Sequence, residues 1–275
     1  MRVQALSIGH RLDADSPGVG AVHSVFARAV NLEVGRELWT LLGAERADLP
    51  FGIRVASLDF DMLGLSRGDA VHVRAGFVGV GPADRRLVVD CRAVPRWIPA
   101  RARQVAAGLA ERLDVVAAAS HRAWHGSAGM AVAVMAALND EDALRRALSQ
   151  VIGRGPGSTP AGDDVVIGIL AVLTSPLAKP AGVEAARSLR TAMLPLLPGT
   201  TDISAHLLRQ AAQGWFGRCV QELMTALIEQ SATPVLMARA RRVVETGATS
   251  GADVCAGVLA CARAFLPARD ERAAA

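Results

Sequence analysis

The chain of 275 residues has no tyrosine, only six phenylalanines and four tryptophans, and a single lysine, Lys179. Its net charge of +4 therefore rests on arginines spread along the whole length. Nucleic-acid binders concentrate basic residues on one face and interleave them with stacking rings. Neither feature is present, so nucleic acid is excluded as the expected partner. Cysteine is also scarce, with Cys91, Cys219, Cys255 and Cys261 standing apart. No C-x-x-C pair occurs, which excludes the usual zinc spacings and leaves buried reduced thiols as the expectation. The longest apolar runs, 128–138 and 165–173, fall short of the ~20 residues that span a bilayer. The first eighteen residues lack the apolar core of a secretory leader. These absences together predict a cytoplasmic protein with no membrane partner.

Hydrophobic residues make up 51% of the chain, enough for a substantial buried core. Up to residue 98, short β-favouring stretches at 22–34, 52–58, 70–74, 77–80 and 87–91 alternate with glycine, proline and aspartate. That punctuation reads as strands and turns. Beyond Pro99 the pattern turns helical. Val105, Leu109, Leu113 and Val116 share one helix face, and Ala-rich segments follow at 128–138, 141–152, 164–174, 181–194, 204–213, 217–230, 234–245 and 252–265. The expected class is α+β, with a β-rich domain over 1–98 and a helical domain over 99–275.

The most unusual segment, residues 153–164, reads GRGPGSTPAGDD and leads into an apolar run. Thr159 is placed to cap the following helix, with Pro160 at its first position and Asp163 and Asp164 at its positive end. Helix entry alone does not require Gly155, Gly157 and Gly162. A glycine-rich approach to a helix start turns several amides toward one point, as in phosphate and carboxylate cradles. Ser158 and Thr159 add hydroxyls. A purely structural loop is the alternative. The segment is neither a Walker loop nor a dinucleotide fingerprint.

Two further helix starts concentrate hydroxyls and an aspartate. One holds Thr201, Ser204 and His206, and the other holds Thr249, Ser250, Gly251 and Asp253. The stretch 162–171 also rhymes with 251–260, with six of ten positions identical at an offset of 89 residues, from Gly162 to Gly251. The rhyme reads either as chance in an Ala/Gly-rich chain or as two similar helix starts around one site. Asp163 and Asp164 point about 100° apart on a helix. One of them together with Asp253 is then a candidate pair for Mg²⁺, Asp164 with Asp253 foremost, and no other cofactor is expected. Catalytic candidates are Asp163, Asp164 and His206. His121 and His125 have a metal-ligand spacing but no glutamate beside them, and a helix C-terminus explains them more simply. Asp59 and Asp61 read as turn residues, and the four tryptophans as core or interface anchors.

In combination, GRGPGSTPAGDD at 153–164, SAHLLRQAAQGWF at 204–216 and TSGAD at 249–253 resemble the family that includes the AllH-type subunit of oxamate carbamoyltransferase. Residues 29–32 resemble that family's opening more weakly. The resemblance implies ureide catabolism (allantoin degradation): the interconversion of oxalurate and phosphate with oxamate and carbamoyl phosphate, alongside an FdrA-like subunit and a companion subunit. Substrate and product are small anions, which a glycine-rich helix start suits. Arg154, Arg209 and Arg218 flank the motifs as candidate charged contacts. Three functions compete: a carbamoyltransferase subunit binding carbamoyl phosphate, phosphate or oxamate, a non-catalytic assembly or regulatory subunit, and a Mg²⁺-dependent hydrolase using Asp163, Asp164 and Asp253.

Overall fold

Valine-rich stretches with period-two burial build the first of two units. In Ala70–Arg74, Val71 and Val73 are buried while Ala70, His72 and Arg74 face outward. The computed structural model describes residues 1–56, 58–120, 123, 125–229 and 231–266. The first unit comprises Met1–Pro99 with Phe216–Arg218, and the second comprises Ala100–Trp215 with the chain from Cys219 onward.

Nine strands are described in the first unit: β1 (Arg2–Gly9), β2 (Gly18–Phe26), β3 (Ala29–Val34), β4 (Glu37–Leu42), β5 (Gly52–Val55), β6 (Ala70–Arg74), β7 (Phe77–Val80), β8 (Leu87–Asp90) and β9 (Arg96–Trp97). They pair in the order β5-β4-β3-β2-β6-β7-β8-β1-β9, and a β1–β5 pairing closes the sheet into a barrel. Closure leaves no long unpaired edge. Val30, Leu32, Leu41, Ile53, Val78 and Val89 fill its interior, each fully buried. Asn31, on the opposite face of β3 from Val30 and Leu32, is also buried and is linked on both sides, donating to Ser24 Oγ and accepting from Thr40 Oγ1. The stretch 22–34 is not one strand but two. Ala27 and Arg28 turn the chain between Phe26 and Ala29, and neither carries a turn signal. Strands β1 and β4 also lie outside the stretches expected from sequence.

One buried ion centre holds this unit together. Asp48 is 2% exposed, accepts from Ser7 Oγ, and lies 2.8 Å from Arg218 Nη2 and 3.5 Å from Arg54 Nη1. The Arg218 amide donates to the Asp48 carbonyl at 2.9 Å, and its guanidinium lies over Trp97. Asp48→Ala should cost about 2–3 kcal/mol, since it strands two partly exposed guanidiniums. A urea titration that gives the wild-type midpoint would contradict this role.

The second unit is helical: α1 (Leu109–Ala119), α2 (Ser127–Ala137), α3 (Glu141–Val151), α4 (Ala161–Leu173), α5 (Ala181–Met193), α6 (Asp202–Ala212), α7 (Arg218–Ile228, whose first residue belongs to the barrel unit), α8 (Thr233–Val244) and α9 (Ser250–Ala264). A β-barrel region followed by helices agrees with the α+β expectation. Val105 does not share the α1 face: it precedes the helix and is 40% exposed. Gly108, with φ +76°, sets the start of α1.

Every residue of α4 is buried. A helix apolar all round is one enclosed by others, and α4 packs against α2, α5, α6 and α9. Its contact with α9 is unusually close. A Cβ on Gly168 would lie 2.1 Å from the Val254 carbonyl oxygen and 2.9 Å from the Val258 nitrogen. A Cβ on Gly257 would lie 2.0 Å from the Val165 carbonyl oxygen and 3.0 Å from the Ile169 nitrogen. The offset of 89 residues maps one set of contacts onto the other. The rhyme between 162–171 and 251–260 is thus two equivalent helices crossing about a local pseudo-twofold axis. Cys255 and Cys261 are buried on α9, and burial pushes their thiols up to about 11 and about 12. Among the described residues no helix is long and apolar enough to cross a membrane.

Candidate functional site

Between α3 and α4 the chain reverses through three glycines in the left-handed region: Gly153 (φ +75°), Gly155 (φ +116°) and Gly157 (φ +91°). Two also lie against backbone. A Cβ at Gly153 would meet the Gly199 carbonyl oxygen at 2.4 Å, and one at Gly155 the Ala161 nitrogen at 2.7 Å. Gly157 borders open space. The Gly162 amide donates to the Arg154 carbonyl at 2.9 Å, closing the loop on itself. Gly162 also lies so near α3 that a Cβ would meet the Val151 carbonyl oxygen at 1.9 Å.

Thr159 does not cap α4. The cap position is Pro160, with no side-chain cap, and its carbonyl accepts from the amides of Asp163 and Asp164. The helix begins one residue later than its sequence pattern implies. This frees the Thr159 hydroxyl to bond Ser250 Oγ at 2.8 Å. Thr249 occupies the cap position of α9, again with no side-chain cap. The starts of α4 and α9 therefore meet.

Three carboxylates lie beneath this junction with different surroundings. Asp163, fully buried, accepts from the Gly153 amide at 2.8 Å, from Ser204 Oγ at 2.6 Å and from Thr200 Oγ1. It ties the loop to the start of α6. Asp253, also fully buried, accepts from Ser127 Oγ at 2.6 Å. Asp164 is 4% exposed, and no donor among the described residues reaches its Oδ2. Burial pushes its carboxyl well above the usual 3.8. The nearby Asp253 and Asp163 push the same way, against hydrogen bonds from Ser250 and Thr159.

At α6, Thr201 is a true cap. Its hydroxyl accepts from the Ser204 amide at 3.1 Å and donates to the Ser158 carbonyl at 2.6 Å. All three sequence motifs thus converge, linked by Asp163, Thr201 and the Thr159–Ser250 contact.

The comparisons bear on this same stretch. Residues 151–262 match the family model described as oxamate carbamoyltransferase subunit AllH, and residues 4–96 match the AllH family N-terminal domain. The chain belongs to the AllH family. No solved structure matches it.

Within this AllH-family chain the remaining candidates separate. Arg154 and Arg209 are exposed. Arg218 is bound to Asp48 in the barrel unit and does not belong to the loop. His206 is buried on α6. His125 is an exposed turn residue before α2, not a helix C-terminus, because α1 ends at Ala119. His121 and Trp124 lie outside the described residues. Asp59 and Asp61 are exposed at a short 3-10 helix that Asp59 caps, and Trp39 and Trp97 are buried in the barrel unit. The set Asp163, Asp164 and Asp253 does not fit Mg²⁺. Asp163 is occupied by three donors, and among the described residues no group of three or more His, Cys, Asp or Glu is placed to hold a metal. Sequence reasoning missed Ser127, which reaches Asp253 from far along the chain and sits in no motif, whereas Thr200 lies in the hydroxyl-rich start of α6.

Proposed function

We propose that this chain is an oxamate carbamoyltransferase subunit that holds a small anion (carbamoyl phosphate, phosphate or oxamate) where loop 155–159 meets the starts of α4 and α9. The observation that carries the reading is the contact of two helix starts, marked by the 2.8 Å Thr159–Ser250 bond, with neither helix capped by a side chain. Each helix start carries about half a positive charge, and two at one place favour an anion more than one does. Gly157 supports the same reading, since its backbone is exposed and open to an approaching ligand. Carbamoyl transfer to or from phosphate requires positioning and charge stabilisation, and one well-placed donor contributes ~10²–10³ in rate. The substrate-binding residues are then Gly155, Gly157, Ser158, Thr159 and Ser250. Gly162 and Gly251, whose amides donate to the Arg154 and Thr246 carbonyls, hold the frame with Thr201, Ser204, Thr249 and Asp253.

A second reading has a specific observation in its favour. The Gly162 amide is already taken by Arg154, and Asp163 by its three donors, as in a loop built to dock a partner. As a subunit, the chain would assemble with an FdrA-like protein and a companion subunit in either case.

Calorimetric titration of the full chain with carbamoyl phosphate, oxamate and phosphate separates the two readings. Binding by at least one anion is expected, independent of Mg²⁺ and lost in Gly157→Val. A side chain at φ +91° costs roughly 1–2 kcal/mol but meets no neighbour, so the variant should fold. Absence of heat with all three anions would favour the assembly reading. Unchanged affinity in folded Gly157→Val would remove the loop from the site.

A further inference from the structure

Beyond Ser127, helix α2 carries only alanine, glycine, methionine and valine. A helix apolar on all sides belongs where others enclose it, as they enclose α4. Helix α2 packs on α3, α4 and α9, yet Ala128, Gly129, Val132, Ala133 and Ala136 are exposed. Val132 is 63% exposed. These five residues share one face, in two neighbouring rows with a spacing of four. The exposed faces of α1, α3, α5, α6, α8 and α9 all carry charged side chains. Among the described residues, α2 alone exposes a helix face with none.

We propose that this face binds its equivalent on a second copy of the chain, the two α2 helices crossing antiparallel at Val132. The proposal is independent of the anion reading. Charge at the two ends of the face selects this occupant. The start of α2 has no side-chain cap and no acid in its first turn. Asp253 meets that positive end only on its buried side, through Ser127. Past the other end, Asp140, Glu141 and Asp142 are all exposed, and Arg145 offsets one of these charges. The helix is about 16 Å long, so the acids and the helix start flank Val132 at comparable distances. An antiparallel copy sets its acids beside the positive start, and a twofold axis makes that match twice. A parallel pair would set like ends together. Between the ends the face is uncharged, and its rows can interlock at a crossing of about −50°.

One helix face belongs to the smaller class of interfaces, so association in the micromolar range is expected. Sedimentation equilibrium on the full chain, from about 1 to about 200 μM, should show a monomer–dimer equilibrium. Val132→Glu sets two like charges at the axis and should raise the Kd at least about tenfold. Glutamate suits an exposed helix position, so this variant should fold. Ala133→Lys tests the same face should it not, with the same loss expected. Val183→Glu, at a 60% exposed position on α5, should dimerise as wild type does. Reversing the acidic end with Glu141→Arg and Asp142→Arg together should weaken the dimer about threefold or more. Wild type that stays monomeric throughout would overturn the proposal and leave the face to a different protein. Val132→Glu dimerising as tightly as wild type, or Val183→Glu losing as much, would also overturn it. An unchanged Kd in the acid-reversed variant would overturn the antiparallel pairing and with it the choice of occupant.

Discussion

Gly168→Ala is expected to destabilise the helical unit by about 3 kcal/mol, and Gly257→Ala by a similar amount. Each added methyl would lie about 2 Å from a backbone carbonyl on the opposite helix, far inside van der Waals contact. Neither backbone can yield locally, because every residue of α4 is buried and α9 is enclosed by α1, α2, α4 and α8. The helices must separate along the crossing, opening voids on both sides of the axis. Gly168→Val should cost more than ~4 kcal/mol, a large part of an ordinary domain's stability. The double alanine variant should cost less than the sum, since the first methyl already parts the helices. Gly129→Ala supplies the control. It lies on α2 with nothing within 4 Å of the added Cβ and should be neutral or stabilising by up to ~1 kcal/mol. Urea midpoints measure all five proteins, and a wild-type midpoint for Gly168→Ala would refute the close crossing.

Asp163→Ala is expected to cost about 4 kcal/mol and to loosen the glycine-rich loop. The carboxylate accepts from one amide and two hydroxyls, and its removal leaves three donors unmet, of which Ser204 is fully buried. Hydrogen bonds to a charged acceptor contribute more than neutral ones, so the loss exceeds that of an average buried polar residue. Asp163→Asn should cost about half as much, because the Ser204 and Thr200 hydroxyls can rotate to accept from the new amide while the Gly153 amide keeps an oxygen. Loop release has its own readout. Arg154 is exposed one residue beyond Gly153, and trypsin should cleave after it faster in Asp163→Ala than in wild type. Equal cleavage with an unchanged denaturation midpoint would show that Asp163 does not hold the loop.

Position in sequence accounts for how these residues were read. Asp163 and Asp164 are neighbours in an unusual motif, and both were legible as candidates from that motif alone. Their different roles were not legible. One turns toward α6 and finds three donors, whereas the other turns toward α9 and finds another carboxylate. Thr159 looked like a cap because threonine before proline commonly is one, yet the chain caps α4 with the Pro160 carbonyl and sends the hydroxyl elsewhere. In the barrel, β5 to β8 followed from valine-rich stretches between glycines. The β2–β3 hairpin was hidden because Ala27 and Arg28 carry no turn chemistry. Strand β1 was hidden for a different reason: it pairs with segments some 50 to 90 residues away.

By itself, then, the sequence determined the division into a β-rich and a helical part, nearly every helix, the family, and the three motifs that converge in the fold. These depend on local periodicity, capping chemistry and composition, which act over a few residues. Tertiary structure alone decided that the sheet closes into a barrel, that Gly168 and Gly257 are the points where two equivalent helices touch, and that Arg218 serves Asp48 and not the loop. It also decided that Asp163 meets three donors while Asp164 lies beside another carboxylate. Each of these depends on which groups become neighbours after burial. A side chain's surroundings, and with them its charge state and partners, come from chain segments that no local pattern identifies.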